Sequence, residues 1–164
     1  MKKLLSIIVI LSICLTSCSD DKEELSIKKE EIVGAWTMSA DPVLNIKVPN
    51  AEYQKKADDM LKELFQKGDR YQFNDNLSCS ITRGSSTLPI PSKYRLDKNY
   101  IIFDDYIKLS PKLSDNKLTL TARDVEIREI VKQELKKAGY PDNIIDSMLP
   151  SINGNVTLVL DKVN

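Results

Sequence analysis

The chain has 164 residues, with 24 Lys and Arg balanced by 24 Asp and Glu and no histidine. A balanced charge leaves no basic footprint to displace counterions, which excludes nucleic acid as a partner. The missing imidazole excludes Ser-His-Asp and Cys-His chemistry, histidine-ligated zinc and the usual neutral-pH proton shuttle. Without a phosphate loop or a cluster at metal-ligand spacing, the chain does not read as an enzyme, and neither a cofactor nor a metal is expected.

Lys2 and Lys3 precede an apolar run from Leu4 to Leu15. That run fits the ~7–15 residues of a signal-peptide core and falls short of the ~20 residues of a membrane-spanning helix. Leu15-Thr16-Ser17-Cys18 closes the run and resembles the lipobox of bacterial lipoproteins. The resemblance implies that residues 1–17 are a signal peptide. It also implies that Cys18 becomes an N-terminus carrying a diacylglycerol and an N-acyl chain such as palmitate, at ~0.8 kcal/mol per buried methylene. An ordinary secretory peptide with Cys18 near its cleavage site is the alternative.

Ser19-Asp20-Asp21-Lys22-Glu23-Glu24 has no apolar residue and reads as a solvated tether. It is similar to the acidic export signal after the lipidated cysteine in surface-exposed lipoproteins of Bacteroidota type. Ser19 is not the aspartate that resembles an inner-membrane retention signal. The resemblance therefore implies a lipid anchor in the outer membrane of the cell envelope, on the periplasmic face or the cell surface. A plain acidic linker is the other reading of the tract. The expected organisation is a signal peptide (1–17), a lipidated cysteine with its tether (18–31) and one domain (32–164), too short for two. Losing Lys2 and Lys3 leaves 22 basic side chains against 24 acidic ones.

Glu31 to Ser39 is β-prone and holds the only tryptophan. Gly34 and Trp36 fall on one face of that strand, and the glycine leaves room for a close neighbour. Pro42 breaks the strand, and Val43 to Val48 alternates, either continuing it after a bend or forming a short edge strand. Asn50 is suited to cap a helix over 51–67, with Gly68 just past its end. Tyr53, Ala57, Met60, Leu61, Leu64 and Phe65 make one apolar stripe on it, each large member worth ~1.5–3 kcal/mol when buried. Such a helix packs on the sheet or lids an open end.

From Asp69 the period changes to two. Strands are expected at Arg70–Phe73, Leu77–Thr82, Lys93–Leu96, Tyr100–Phe103, Tyr106–Leu109 and Lys117–Arg123, around tight turns at 74–76, 97–99 and 114–116. Gly84 to Pro91 reads as a looser connection. Cys79 falls with Leu77 and Ile81 on the apolar face, which makes it a small buried hydrophobe; a reactive thiol is the alternative. Once Cys14 is removed and Cys18 acylated, Cys79 has no intramolecular partner. Asp75, Asp97, Asp104, Asp105 and Asp115 read as turn residues rather than calcium ligands.

Helical spacing returns over 124–149: Ile127, Ile130, Val131, Leu135 and Ala138 share a face, Gly139 ends it, and Ile144, Ile145, Met148 and Leu149 form a second stripe after Pro141. Asp146-Ser147-Met148 resembles an acceptor triplet of Bacteroidota-type O-glycosylation. A final strand spans Gly154 to Val163.

The Gly34-x-Trp36 pair on a first strand, followed by short strands, resembles the signature of lipocalin-like domains. Lipocalins carry a late arginine over the tryptophan, whereas the last strand here offers Lys162 and Arg123 ends the strand before. The fold class expected is mainly β with helical insertions, a lipocalin-like antiparallel meander barrel of about eight strands, whose interior holds packed side chains or one small ligand. Two functions follow. One is a lipid-anchored binding module taking a small amphipathic or apolar ligand at a mouth edged by Trp36, Tyr53, Tyr94, Tyr100, Tyr106 and Tyr140. The other is an envelope accessory protein with a filled barrel that docks a protein or polysaccharide.

Overall fold

The computed structural model describes residues 27–97 and 99–163. The signal segment, Cys18 and the acidic tract Ser19–Glu24 lie outside the described residues. Strands β1 (Gly34–Met38), β2 (Val43–Lys47), β3 (Arg70–Phe73), β4 (Ser78–Thr82), β5 (Pro89–Asp97), β6 (Tyr100–Phe103), β7 (Ile107–Ser114), β8 (Lys117–Arg123) and β9 (Asn153–Lys162) are joined by helices α1 (Lys29–Ile32), α2 (Ala51–Leu64), α3 (Asp124–Lys137) and α4 (Asp142–Met148). From β3 to β9 each strand pairs antiparallel with the next, and β1 pairs with β3 on one side and β9 on the other. Eight strands thereby close into the expected lipocalin-like barrel with helical insertions.

The first strand answers the question left at Pro42. β1 follows β9 to Met38 opposite Leu160, and β2 resumes along the same strand with Val43 opposite Thr157, so β2 continues β1 after a bend. β2 pairs only with β9, and α2 leads the chain from it back to β3. Gly154 sits where β2 crosses closest. It adopts φ +130, and a Cβ there would lie 1.9 Å from the Asn45 carbonyl oxygen.

The two ends of the barrel differ. One carries α1 and the turns β3–β4, β5–β6 and β7–β8. There the Trp36 indole donates to the Ile32 carbonyl at 2.8 Å, Lys162 Nζ lies 5.4 Å from the ring centroid, and Lys29 bridges to Asp75 at 2.7 Å. Lys162 thus sets a cation over the tryptophan ring. Gly34 has φ +128 and its nearest neighbour would be 3.8 Å from a Cβ, so backbone conformation rather than crowding requires glycine. Trp36, Phe73, Ile101, Leu118 and Leu160 occupy this half, all buried. Phe73 meets the Tyr94 ring edge-on at 5.1 Å and Phe103 at 5.7 Å.

The other end carries the α2–β3 connection, the β4–β5 loop, the β6–β7 turn and α3. Ala57 and Leu61 of α2, Phe65, and Ile127, Ile130, Val131 and Leu135 of α3 join the same core as the strands. Asn50 Oδ1 accepts from the Glu52 and Tyr53 amides at 2.9 and 3.2 Å, the cap expected of α2. The Asp124 carboxylate accepts from the Gly154 amide at 2.7 Å and ties the start of the α3–α4 insertion to its end.

Several boundaries differ from the sequence reading. Lys29–Ile32 is a helix inside the stretch read as tether, and β1 begins at Gly34. α2 stops at Leu64, because Phe65 turns extended (φ −130, ψ 114) to bury its ring. Leu77 takes φ 64 and donates to the Asn74 carbonyl, so it belongs to the turn and is exposed instead of sharing the face of Cys79. Pro89 and Pro91 belong to β5, where this half pairs only with β4, so their missing amide hydrogens interrupt no ladder. Ala138 is exposed past the end of α3, and Pro141 precedes α4 as its cap residue.

Candidate ligand site

Alternation turns Tyr71 of β3, Ile81 of β4, Phe103 of β6, Leu109 of β7, Leu120 of β8 and Leu158 of β9 toward the axis. Where these side chains meet the end covered by α2 and α3, a cavity of about 190 Å³ remains. That is several times the ~30 Å³ share of one water. Its floor is aromatic: Tyr71 packs 6.4 Å from Phe103 and 6.5 Å from Phe73, which separate it from the filled half. Leu64 and Phe65 from the end of α2 and Ile90 of β5 complete the apolar lining.

The polar lining comes from Arg83, held in place by Asp69 behind it, from Tyr106 with Glu134 and Lys137, and from Ser92 with Asp104. Asp69, entirely buried, accepts from Arg83 Nη1 at 2.6 Å and from the Gln66 and Gly84 amides at 3.1 and 3.2 Å. Arg83 also donates to the Leu64 carbonyl at 2.7 Å, so one guanidinium joins the end of α2 to the β3 entry. On the α3 side, the Tyr106 hydroxyl donates to Glu134 at 2.6 Å, and Lys137 donates to both at 2.6 and 2.9 Å. Burial and the Glu134 hydrogen bond raise the Tyr106 phenol above its ordinary value. Burial lowers Lys137, but its hydrogen bonds to Tyr106 and Glu134 outweigh that and leave it raised. In the β6–β7 turn, the Asp104 carboxylate accepts from Ser92 Oγ at 3.0 Å and the Lys93 amide at 3.2 Å.

Of the residues singled out from sequence, Tyr106 lines this cavity. Trp36 is buried in the filled half, and Tyr94, also buried, sends its hydroxyl to the Asn74 carbonyl at 2.8 Å. Tyr100 donates to Glu126 of α3 at 3.0 Å, which raises its pKa. Tyr53 and Tyr140 flank Lys56, whose ammonium lies 5.9 Å from each ring, so they join the two helical insertions. The mouth is therefore not edged by a ring of tyrosines, because most of these hydroxyls hold one element to another. Tyr71 and Arg83 escaped the sequence reading. Tyr71 was legible, since it shares the alternating face of Phe73, whereas Arg83 sits in a loop with no periodicity to point its side chain.

Cys79 is buried, and burial pushes its thiol up to about 12, the behaviour of an inert core side chain. Among the described residues no group of three or more Cys, Asp or Glu is placed to hold a metal ion. Asp104, Asp105 and Asp115 take left-handed conformations in their turns. No helix among the described residues is long and apolar enough to cross a membrane. Comparison with protein-family models, with curated proteins and with solved structures finds no match to this chain.

Proposed function

We propose that this chain is a lipid-anchored cell-envelope binding module that holds a small apolar or amphipathic ligand in the covered end of its barrel. The observation that carries the reading is the cavity of about 190 Å³, with an aromatic and leucine floor and a polar rim, beside a half where Trp36, Phe73, Ile101, Leu118 and Leu160 are buried. Pockets of this kind, apolar with a few fixed polar groups, are where small molecules bind. The accessory-protein alternative called for a filled barrel, and the cavity weighs against it. The lipobox at Leu15 to Cys18 supports an acyl anchor at Cys18, most simply in the outer membrane, with the acidic tract as spacer.

Native mass spectrometry of the protein purified from its own envelope tests both halves. The anchor predicts a mass that begins at Cys18 and carries acyl chains. The binding module predicts a further noncovalent ligand released on collisional activation. An unacylated terminus refutes the anchor, and a protein bare even under gentle activation counts against the module.

A further inference from the structure

The cavity presents hydrogen-bond donors that its own lining does not use. Tyr71 is 3 % exposed and lines the cavity, and none of the hydrogen bonds among the described residues engages its hydroxyl. No fully buried side-chain nitrogen or oxygen among the described residues lacks a partner, so this hydroxyl keeps access to the cavity space. Arg83 spends Nη1 on Asp69 and Leu64, and among the described residues its Nε and Nη2 hydrogens have no partner. Tyr71 lies on β3 and Arg83 directly follows β4, the strand paired with it, at the same end of the barrel. The acidic groups are already engaged: Asp69 by Arg83, Glu134 by Lys137 and Tyr106, Asp104 by Ser92 and Lys93. Tyr71 and Arg83 are the lining groups that can still donate to a ligand oxygen.

Resting on the reading of this cavity as a ligand site, we propose that Arg83 and Tyr71 hold a carbonyl or carboxylate oxygen of a small ring-sized ligand whose apolar body lies on Phe103, Leu109, Leu120 and Leu158. Size restricts the ligand as firmly as polarity does. A cavity of ~150 Å³ lined by apolar side chains takes benzene, so about 190 Å³ takes one six-membered ring with a short side chain. A long acyl chain does not fit.

The test is a titration of the purified protein with phenylacetate, phenylacetamide and propylbenzene, followed by calorimetry. The two oxygenated probes are expected to bind at least tenfold more tightly than the hydrocarbon. Acid and amide within threefold of each other mark a neutral carbonyl acceptor, and the acid alone exceeding the hydrocarbon marks a carboxylate; either supports the proposal. Tyr71→Phe, which keeps the ring, is expected to shrink the preference to within threefold. Propylbenzene binding as tightly as the others, or a preference untouched by Tyr71→Phe, overturns the proposal while leaving the cavity a ligand site. If none of the three binds, the ligand-site reading itself fails and this inference with it.

Discussion

Replacing Asp69 with Ala isolates the interaction that builds the cavity rim. The carboxylate is entirely buried and is met by one guanidinium and two backbone amides, at 2.6, 3.1 and 3.2 Å. Removing one partner of a buried ion pair costs ~3–5 kcal/mol, because the other charge is left uncompensated. Arg83 is 24 % exposed on its side chain and recovers some hydration, which places the expected loss at the low end, about 3 kcal/mol. Urea denaturation of wild type, Asp69→Ala, Arg83→Met and the double variant gives the answer as a cycle. Each single change should lower stability by about 3 kcal/mol, and the double should cost less than their sum by ~2 kcal/mol or more. A loss under about 1 kcal/mol for Asp69→Ala, or simple additivity, refutes the claim that this pair ties α2 to the barrel.

Gly154→Ala should cost about 2–3 kcal/mol, since its Cβ would meet the Asn45 carbonyl at 1.9 Å in a left-handed backbone. Gly34→Ala, with nothing nearer than 3.8 Å, should cost only the backbone strain, about 1–2 kcal/mol; equal melting temperatures for the two would contradict the packing difference. Trp36→Phe removes the indole hydrogen bond to Ile32 and the ring under Lys162, for an expected loss of about 2 kcal/mol in urea. Alkaline pH should destabilise the fold. Burial raises Cys79 from 9.0 to about 12, and burial likewise raises Tyr71, Tyr94 and Tyr106 from 10.0. The native state therefore keeps protons that the unfolded chain gives up, so stability is full below pH 9 and falls from there through pH 12. Cys79→Ala should remove the first part of that fall in urea midpoints measured against pH, and an unchanged profile would exclude the thiol as its source.

The repeating features were readable before any coordinates because they are dictated by local periods. Alternation placed β3, β6 and β8 within a residue of their ends, and the stripe from Tyr53 to Phe65 identified α2 together with its Asn50 cap. Features set by tertiary context were not readable. Phe65 continues the helical period yet leaves the helix because the barrel interior gains its ring, and Pro89 sits in a strand because its unpaired side faces no neighbour. The tyrosines were treated as alike, although their hydroxyl partners separate them: Tyr94, Tyr100 and Tyr106 are each tied to another element, and Tyr71 is not. The Asp69–Arg83 pair joins residues separated by a hairpin, and no local period reports on such a link.

One end of this barrel holds space for a guest where α2 and α3 cover the strands. Methyl NMR spectra of the purified protein titrated with benzene test it most directly. The account predicts saturable shifts at Leu109, Leu120 and Leu158, which line the cavity, and none at Leu118 and Leu160 in the packed half. Absent shifts, or shifts spread evenly along the barrel, would contradict it.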